Sequence, residues 1–314
     1  MRRDGEAVGY FGLGLMGRLR PAHAPEGSAL PPRLARFGGW TNLLTEEPLG
    51  RLGSLEIRLA RTAKDVRRAQ RLRYRVFYKE MSAIADARTR LARRDIDAFD
   101  RICEHLLVFD HAAAANGLRR KPRAVGTYRL LRQDVAERHG GFYSAGEFAI
   151  DGLIARHAGS RFLELGRSCV LAPYRNKRTV ELLWHGIWAY VLEHRIDVMF
   201  GCASLDGTDP QPLAHVLSYL HHFHGAPETW AARAVPHKRL AMNLLPKHEV
   251  DVKAAWRELP PLIKGYLRLG AFVGEDAVVD YQFGTTDVLI VLPVAAISGR
   301  YIQHFGPGAE RHAA

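Results

Sequence analysis

Two rhythms of apolar and polar positions run along the chain from residue 54 onward. The stretch SLEIRLA (54–60) alternates and reads as a strand. Thr62 then opens a segment in which Val66, Ala69, Leu72, Val76 and Phe77 recur at helical spacing, which predicts a helix to about Met81. HLLVFD (105–110) and AVGTYRLL (124–131) read as strands, and HAAAANGLRRKP (111–122) reads as the hairpin loop between them. A strand near 161–172, a helix over about 178–194, the strand VMFGCASL (198–205) and a helix near 210–222 follow. Helical LPPLIKGYLRLGA (259–271) and the strand TDVLIVLPV (286–294) come last. The rhythm is absent before residue 54. Residues 1–53 are rich in Gly, Pro and Arg and predict an irregular extension, with one short surface-seeking segment at 10–20. Strands and helices mixed in this order predict one α/β sheet domain over 54–306 and a flexible tail over 307–314.

Composition sharpens the class. The chain is 47% hydrophobic and 25% charged, as soluble globular domains are, and no apolar run reaches the roughly 18 residues of a membrane span. Three cysteines without framework spacing predict a reduced, cytoplasmic protein. Arg18 and Arg20 interrupt the signal-like VGYFGLGLMG, which argues against export. The net charge of +12 is concentrated: residues 58–94 hold 13 Lys and Arg against three Asp and Glu. Such a field points to an anionic partner, whether nucleic acid, anionic lipid or an acidic carrier protein. On the first helix Arg61, Lys64, Arg67, Arg68, Arg71, Arg75 and Lys79 form a basic face opposite the apolar stripe. Arg73 falls inside that stripe instead. A buried guanidinium needs a counter-charge, so Arg73 is either half of a structural ion pair or a substrate-facing cation. Asp95, Asp97 and Asp100 follow and could balance charge, bind a cationic group or partner Arg73.

The densest chemistry lies in FLELGRSCVLAPYRNKRTVELLWHGI (162–187), a strand, a basic turn and a helix. Alternation puts Glu164, Gly166, Ser168 and Val170 on one side. Arg167 joins them only if a bulge intervenes, which Gly166 would permit. A carboxylate in a buried strand needs a partner or a raised pKa, and the latter makes a general base.

This segment resembles the GNAT acyltransferases, whose R-x-x-G-x-G/A loop cradles the coenzyme A pyrophosphate at a helix N-terminus. Arg175 keeps the arginine, but Arg178 and Val180 stand at the glycine positions. A basic loop of this kind suits the phosphopantetheine arm of an acyl carrier protein better than free coenzyme A. The autoinducer synthase branch, which uses such donors, has a pattern similar to Arg73 with Phe77, Asp97 with Asp100, Arg129 in YRLL, and Glu164 with Arg167. The blocks RLRYRVFYKEM, FDRICEHLLV, GTYRLL, GFYSAGEF, LELGRSCV, FGCASLDGTDP, LPPLIKGYLRLGA and TTDVLIVLPV also resemble a sister family, the L-ornithine N-acyltransferases of ornithine-lipid synthesis. The resemblance implies a GNAT-like fold, a central mixed twisted sheet flanked by helices. It implies transfer of a 3-hydroxyacyl group from acyl carrier protein to the α-amine of L-ornithine, giving a lyso-ornithine lipid. Glu164 would be the base, with Arg167 and Ser168 beside it and amides near Ser168–Val170 facing the oxyanion. Arg73, Phe77, Asp97, Asp100 and Arg129 would frame the acceptor. Val170, Arg175, Lys177 and Arg178 would take the carrier-borne arm. No metal and no cofactor beyond the carrier's pantetheine are implied, and no nucleic acid. An anionic membrane surface, on the inner face of the cell membrane, is a further expected partner. Two alternatives stand beside this reading: an autoinducer synthase using S-adenosylmethionine, and a non-enzymatic basic module binding membrane or nucleic acid. Lesser candidates are Cys169 as a nucleophile, His221, His222 and His224 as metal ligands, and Tyr219 or Ser204 as an acid on the leaving group. Asp206 and Asp209 read as turn and cap residues first and as a substrate rim second.

Overall fold

A computed structural model describes residues 48–112 and 121–297. Strands β1 (Gly50–Leu52), β2 (Leu55–Leu59), β3 (Glu104–Asp110), β4 (Arg123–Arg132) and β5 (Phe162–Val170) form an antiparallel run. Strands β6 (Val198–Asp206), β7 (Arg239–Ala241), β8 (Phe272–Asp280) and β9 (Thr285–Pro293) complete one nine-stranded sheet in the order β1-β2-β3-β4-β5-β6-β9-β8-β7. Among the described strands the one parallel pair is β5–β6, and the helix Lys177–Glu193 crosses between them, as a parallel connection requires. Helices lie on both faces. We label them α1 (Ala63–Arg73), α2 (Ala87–Ala92), α3 (Ile150–Arg156), α4 (Lys177–Glu193), α5 (Ala214–His224), α6 (Val252–Glu258) and α7 (Pro261–Arg268).

The expected elements appear close to their predicted places, with three corrections. The sheet begins at Gly50, inside the segment expected to be irregular. Its short strand pairs with β2, and the flanking Leu49 and Leu52 pack on the core. The first helix does not run regularly to Met81. After Arg73 it widens into a π-helical turn, Tyr74–Glu80, of the kind that often marks functional sites. Strand β8 follows no clear alternation in sequence and is held by pairing with β9. Most of the loop 111–122, the extension up to residue 47 and the tail from 298 lie outside the described residues.

The faces of α1 follow its pattern. Ala69, Leu72 and Val76 are buried against the sheet, while Arg61, Lys64, Arg67, Arg71, Arg75 and Lys79 are exposed. The basic face is not free of acids, however. Asp65 pairs with Arg68 and with Arg58 of β2, and both guanidiniums lie over the Phe109 ring.

Candidate active site

Strands β5 and β6 pair over only three residues, Phe162–Glu164 against Val198–Phe200, and no ladder between them continues beyond. The split starts where Gly201 lies against Leu165. A Cβ at Gly201 would fall inside the van der Waals radius of the Leu165 carbonyl oxygen, so only glycine lets the strands approach there. Beyond this point they diverge, and a cavity of about 210 Å³ fills the gap. On the opposite edge of β5, pairing with β4 is broken by a bulge: Thr127 faces Cys169 while Arg129 faces Gly166. The strain falls on Arg167, at φ +51°, and not on Gly166. The bulge turns Arg167 into the cavity wall alongside Glu164, Gly166 and Ser168.

One wall of the site is a charge-balanced layer. Arg73, 1% exposed, donates to Asp95 at 2.7 Å and to both oxygens of Asp100 at 2.7 and 2.8 Å. Arg129 donates to Asp97 at 2.5 Å and lies 3.6 Å from Asp100. Arg167 makes longer contacts, 3.5 Å to Asp97 and 3.9 Å to Asp95. Asp97 and Asp100 also cap the same short turn reciprocally. Burial would raise the Asp97 carboxyl, but Arg129 and Arg167 hold it below its usual range. Three arginines and three aspartates thus neutralise one another. Of the expected acceptor residues, Phe77 and Arg129 line the cavity, whereas Arg73, Asp97 and Asp100 stand behind the wall. The charges of these three are met within the layer: Arg73 by Asp95 and Asp100, and Asp97 by Arg129. Arg167 is the exception, because it lines the cavity and its buried Nε–H has no acceptor.

Glu164 is buried and lines the cavity. It accepts the backbone N–H groups of Tyr143 at 2.9 Å and Ser144 at 2.6 Å. Burial pushes its pKa up, the Ser144 and Tyr143 hydrogen bonds oppose this, and the net direction is upward. The turn it pins supplies Tyr143, whose ring lies under both Arg129 and Arg167.

The facing wall is acidic, and of its carboxylates only Asp206 was singled out from the sequence, as a turn residue first and a substrate rim second. Asp287 of β9, Asp280 at the end of β8, Asp206 of β6 and Thr285 line the cavity. Glu147, Asp280 and Asp287 bring carboxylate oxygens within 4.8 Å of one another. Asp287 accepts from Thr285 at 2.9 Å, and Glu147 accepts from Cys202 at 3.2 Å. Burial, with Glu147 next to it, raises Asp287 to about 7, and burial also raises Glu147. No arginine or lysine ion-pairs with these three groups among the described residues. Asp287 sits at the head of a continuous apolar strand run, TDVLIVLPV. A carboxylate inside such a strand is the same signal that marked Glu164.

The basic turn after β5 is only partly open. Arg175 folds inward, lines the cavity, donates to the Val170 carbonyl at 3.0 Å and pairs with Glu80 at 2.5 Å. It does not extend an exposed basic stripe, because Glu80 at the end of the π-turn neutralises it. Lys177 and Arg178 are exposed at the start of α4, where Asn176 caps the helix, and they do not line the cavity. Val170 and Ser168 do line it. Ser168 and Tyr128 line a second, smaller cavity beside it, and the Tyr128 hydroxyl lies 2.7 Å from that of Tyr266 on α7. The Cys169 thiol also lines the cavity, but burial pushes it up to about 12, which keeps it protonated. His222 bonds the Leu245 carbonyl and His224 bonds Tyr219, so the histidines are occupied separately.

A mixed sheet whose parallel strands part around a cavity, followed by a basic turn into a long helix, defines a GNAT acyltransferase. Residues 72–185 match the acetyltransferase (GNAT) domain. The L-ornithine N(alpha)-acyltransferase of Rhizobium meliloti is 56% identical over 263 residues, which are 84% of this chain and 88% of that protein. That of Rhodobacter capsulatus is 42% identical over 252 residues, 80% of this chain and 95% of its own. The chain belongs to the L-ornithine N(alpha)-acyltransferase family. Among solved structures, the N-acyl amino acid synthase FeeM from uncultured soil microbes shares 12% identity, with a TM-score of 0.42 over 76% of this chain and 91% of that one.

Proposed function

We propose that this protein transfers a 3-hydroxyacyl group from acyl carrier protein to the α-amine of L-ornithine, working at the inner face of the cell membrane. The observation that carries this reading is the polarity of the cavity. Arg167 offers an unsatisfied donor on one wall, and Asp280 and Asp287, with Glu147 close behind them, offer carboxylates without an ion-pairing cation on the other. An amino acid with a cationic side chain fits that polarity. Its α-carboxylate meets Arg167, its side-chain ammonium meets the acidic wall, and its α-amine is left toward Glu164.

The chemistry then follows. Glu164, raised by burial, takes the proton from the α-ammonium. The free amine attacks the thioester carbonyl, and amides along the unpaired edge of β5 beyond the split receive the oxyanion. Collapse forms the amide and breaks the C–S bond, and the amine's second proton passes to the departing pantetheine thiolate. Ser168 and Tyr128 stand beside the split to relay it. The scheme uses no group beyond the carrier's pantetheine. Exposed Lys177 and Arg178 suit the acidic surface of a carrier protein.

The test is purified enzyme with 3-hydroxyacyl carrier protein and L-ornithine, followed by tandem mass spectrometry. The expected product is acylated at the α-nitrogen. Acylation at the δ-nitrogen would overturn the placement of the acceptor. Transfer from acyl-coenzyme A but not from the carrier would overturn the donor.

A further inference from the structure

We infer that the rim of the cavity is a membrane-docking surface, built by the excursion 82–94 and the tip of the β8–β9 hairpin, and that it seats on an anionic bilayer. This rests on the reading above only for the lipid character of the product. Among the described residues six large apolar side chains are exposed, and three of them belong to these two segments, Leu91 at 90%, Tyr281 at 74% and Ile84 at 68%, while a fourth, Leu262 of α7 at 37%, lines the cavity. The two segments are joined. Ile84 donates its N–H to the Gln282 carbonyl at 2.7 Å, and the Phe77 and Phe283 rings meet edge to face at 5.6 Å. Phe77, Met81, Phe283 and Leu262 line the cavity, so the exposed residues beside them edge its mouth.

The charge around these side chains selects the occupant. Arg88, Arg90, Arg93 and Arg94 stand in the excursion against one acid, Asp86, which is spent on capping α2 through the Thr89 N–H. A solvated loop does not need a leucine, an isoleucine and a tyrosine held out in water among arginines. A boundary between headgroups and acyl chains suits both kinds of residue: the apolar groups insert and the guanidiniums meet lipid phosphate. An acidic protein would match the arginines but leave Leu91 and Ile84 without an apolar medium. Seated in this way, the mouth opens toward the bilayer, so an N-acyl amino acid leaves into lipid without carrying its chain through water.

The test is co-sedimentation of the full-length enzyme with vesicles of phosphatidylcholine alone or with about a third phosphatidylglycerol. Binding to the anionic vesicles is expected, weakened by salt. The triple variant Ile84→Ser/Leu91→Ser/Tyr281→Ser is expected to bind roughly tenfold or more weakly. Arg88→Gln/Arg90→Gln is expected to lose about fivefold per arginine at low salt. Both variants alter exposed groups outside the cavity wall and are expected to keep wild-type thermal stability and turnover of a short soluble thioester. Wild-type vesicle binding by the triple variant overturns the inference. So does a loss of carrier-dependent turnover with vesicle binding intact, which would assign the patch to the carrier protein. A dimer in sedimentation velocity that dissociates in the triple variant would assign it to a second copy and overturn the inference too. Vesicle binding is read without turnover, so a wrong acceptor or donor would leave this result standing.

Discussion

The two sides of the cavity treat their ionisable groups in opposite ways. On the β4 side Arg73, Arg129 and Arg167 face Asp95, Asp97 and Asp100, and nearly every charge is met by another from the protein. On the β9 side Glu147, Asp280 and Asp287 crowd together without an ion-pairing cation of their own. Apart from Arg167, which keeps a free Nε–H on the cavity, the neutralised layer has no charge left for a ligand. It acts as scaffolding that fixes the π-turn, the 97–101 turn and the bulge of β5 in relation to one another. An uncompensated cluster is costly to the empty protein, and a cationic ligand relieves that cost. Under the proposed function the charges that build the site and those that read the substrate are different residues, with Arg167 alone serving both.

The sharpest way to break this contrast is at Arg73. Arg73→Met leaves Asp95 and Asp100 buried without their main counter-charge, and removal of one partner of a buried pair typically costs about 3–5 kcal/mol. Loss of the fold, or a midpoint far lower in denaturant, is expected, whereas a direct substrate contact would raise the ornithine KM in an otherwise stable protein. Next in size is Glu164→Gln, which keeps the shape and one acceptor oxygen for the 143–144 turn. Loss of the base is expected to lower kcat by about 10²–10⁴-fold with little change in melting temperature. A normal kcat across the pH range would remove Glu164 from the chemistry.

The smallest effect has the opposite sign. Asp287 in the folded protein titrates near 7, raised by burial, against about 3.9 in an unfolded chain. A raised folded-state pKa gives stability that is full below the unfolded value and is lost as pH rises through the folded one. Asp287→Asn is therefore expected to stabilise the empty enzyme at about pH 8, on the order of 2–4 kcal/mol at most, and to do little near pH 4. Melting curves of the two proteins at both pH values measure this. A variant less stable than wild type at the higher pH would mean that the carboxylate is compensated after all.

Much of this was legible in the sequence, for reasons of local physics. The strands and the α1 faces follow from periodicity. Arg73 and Glu164 announced themselves as charges inside apolar patterns, and the bulge was foreshadowed by Gly166 although the strain fell one residue later. Pairing across the chain was not legible. The stripe placed Arg73 in the interior but did not choose between Asp95, Asp97, Asp100 and a ligand. Arg175 looked exposed until Glu80 was brought to it by the π-turn. The acidic wall joins residues 147, 280 and 287, which only β8–β9 pairing and the turn before α3 bring together.

The central claim is that the acidic wall reads the side-chain ammonium of the acceptor. Ornithine and norleucine, which carries a methyl group where ornithine carries that ammonium, test it directly. Their kcat/KM values should be compared in the wild type and in Asp287→Asn/Glu147→Gln. A site built around a polar group rejects the analogue lacking it by about 10⁴-fold or more, so the wild type should strongly favour ornithine. In the double variant the preference is expected to fall to within about tenfold, chiefly through the ornithine KM. A preference that survives intact in the folded double variant would contradict the account and return the recognition of the ammonium to Asp97 and Asp100.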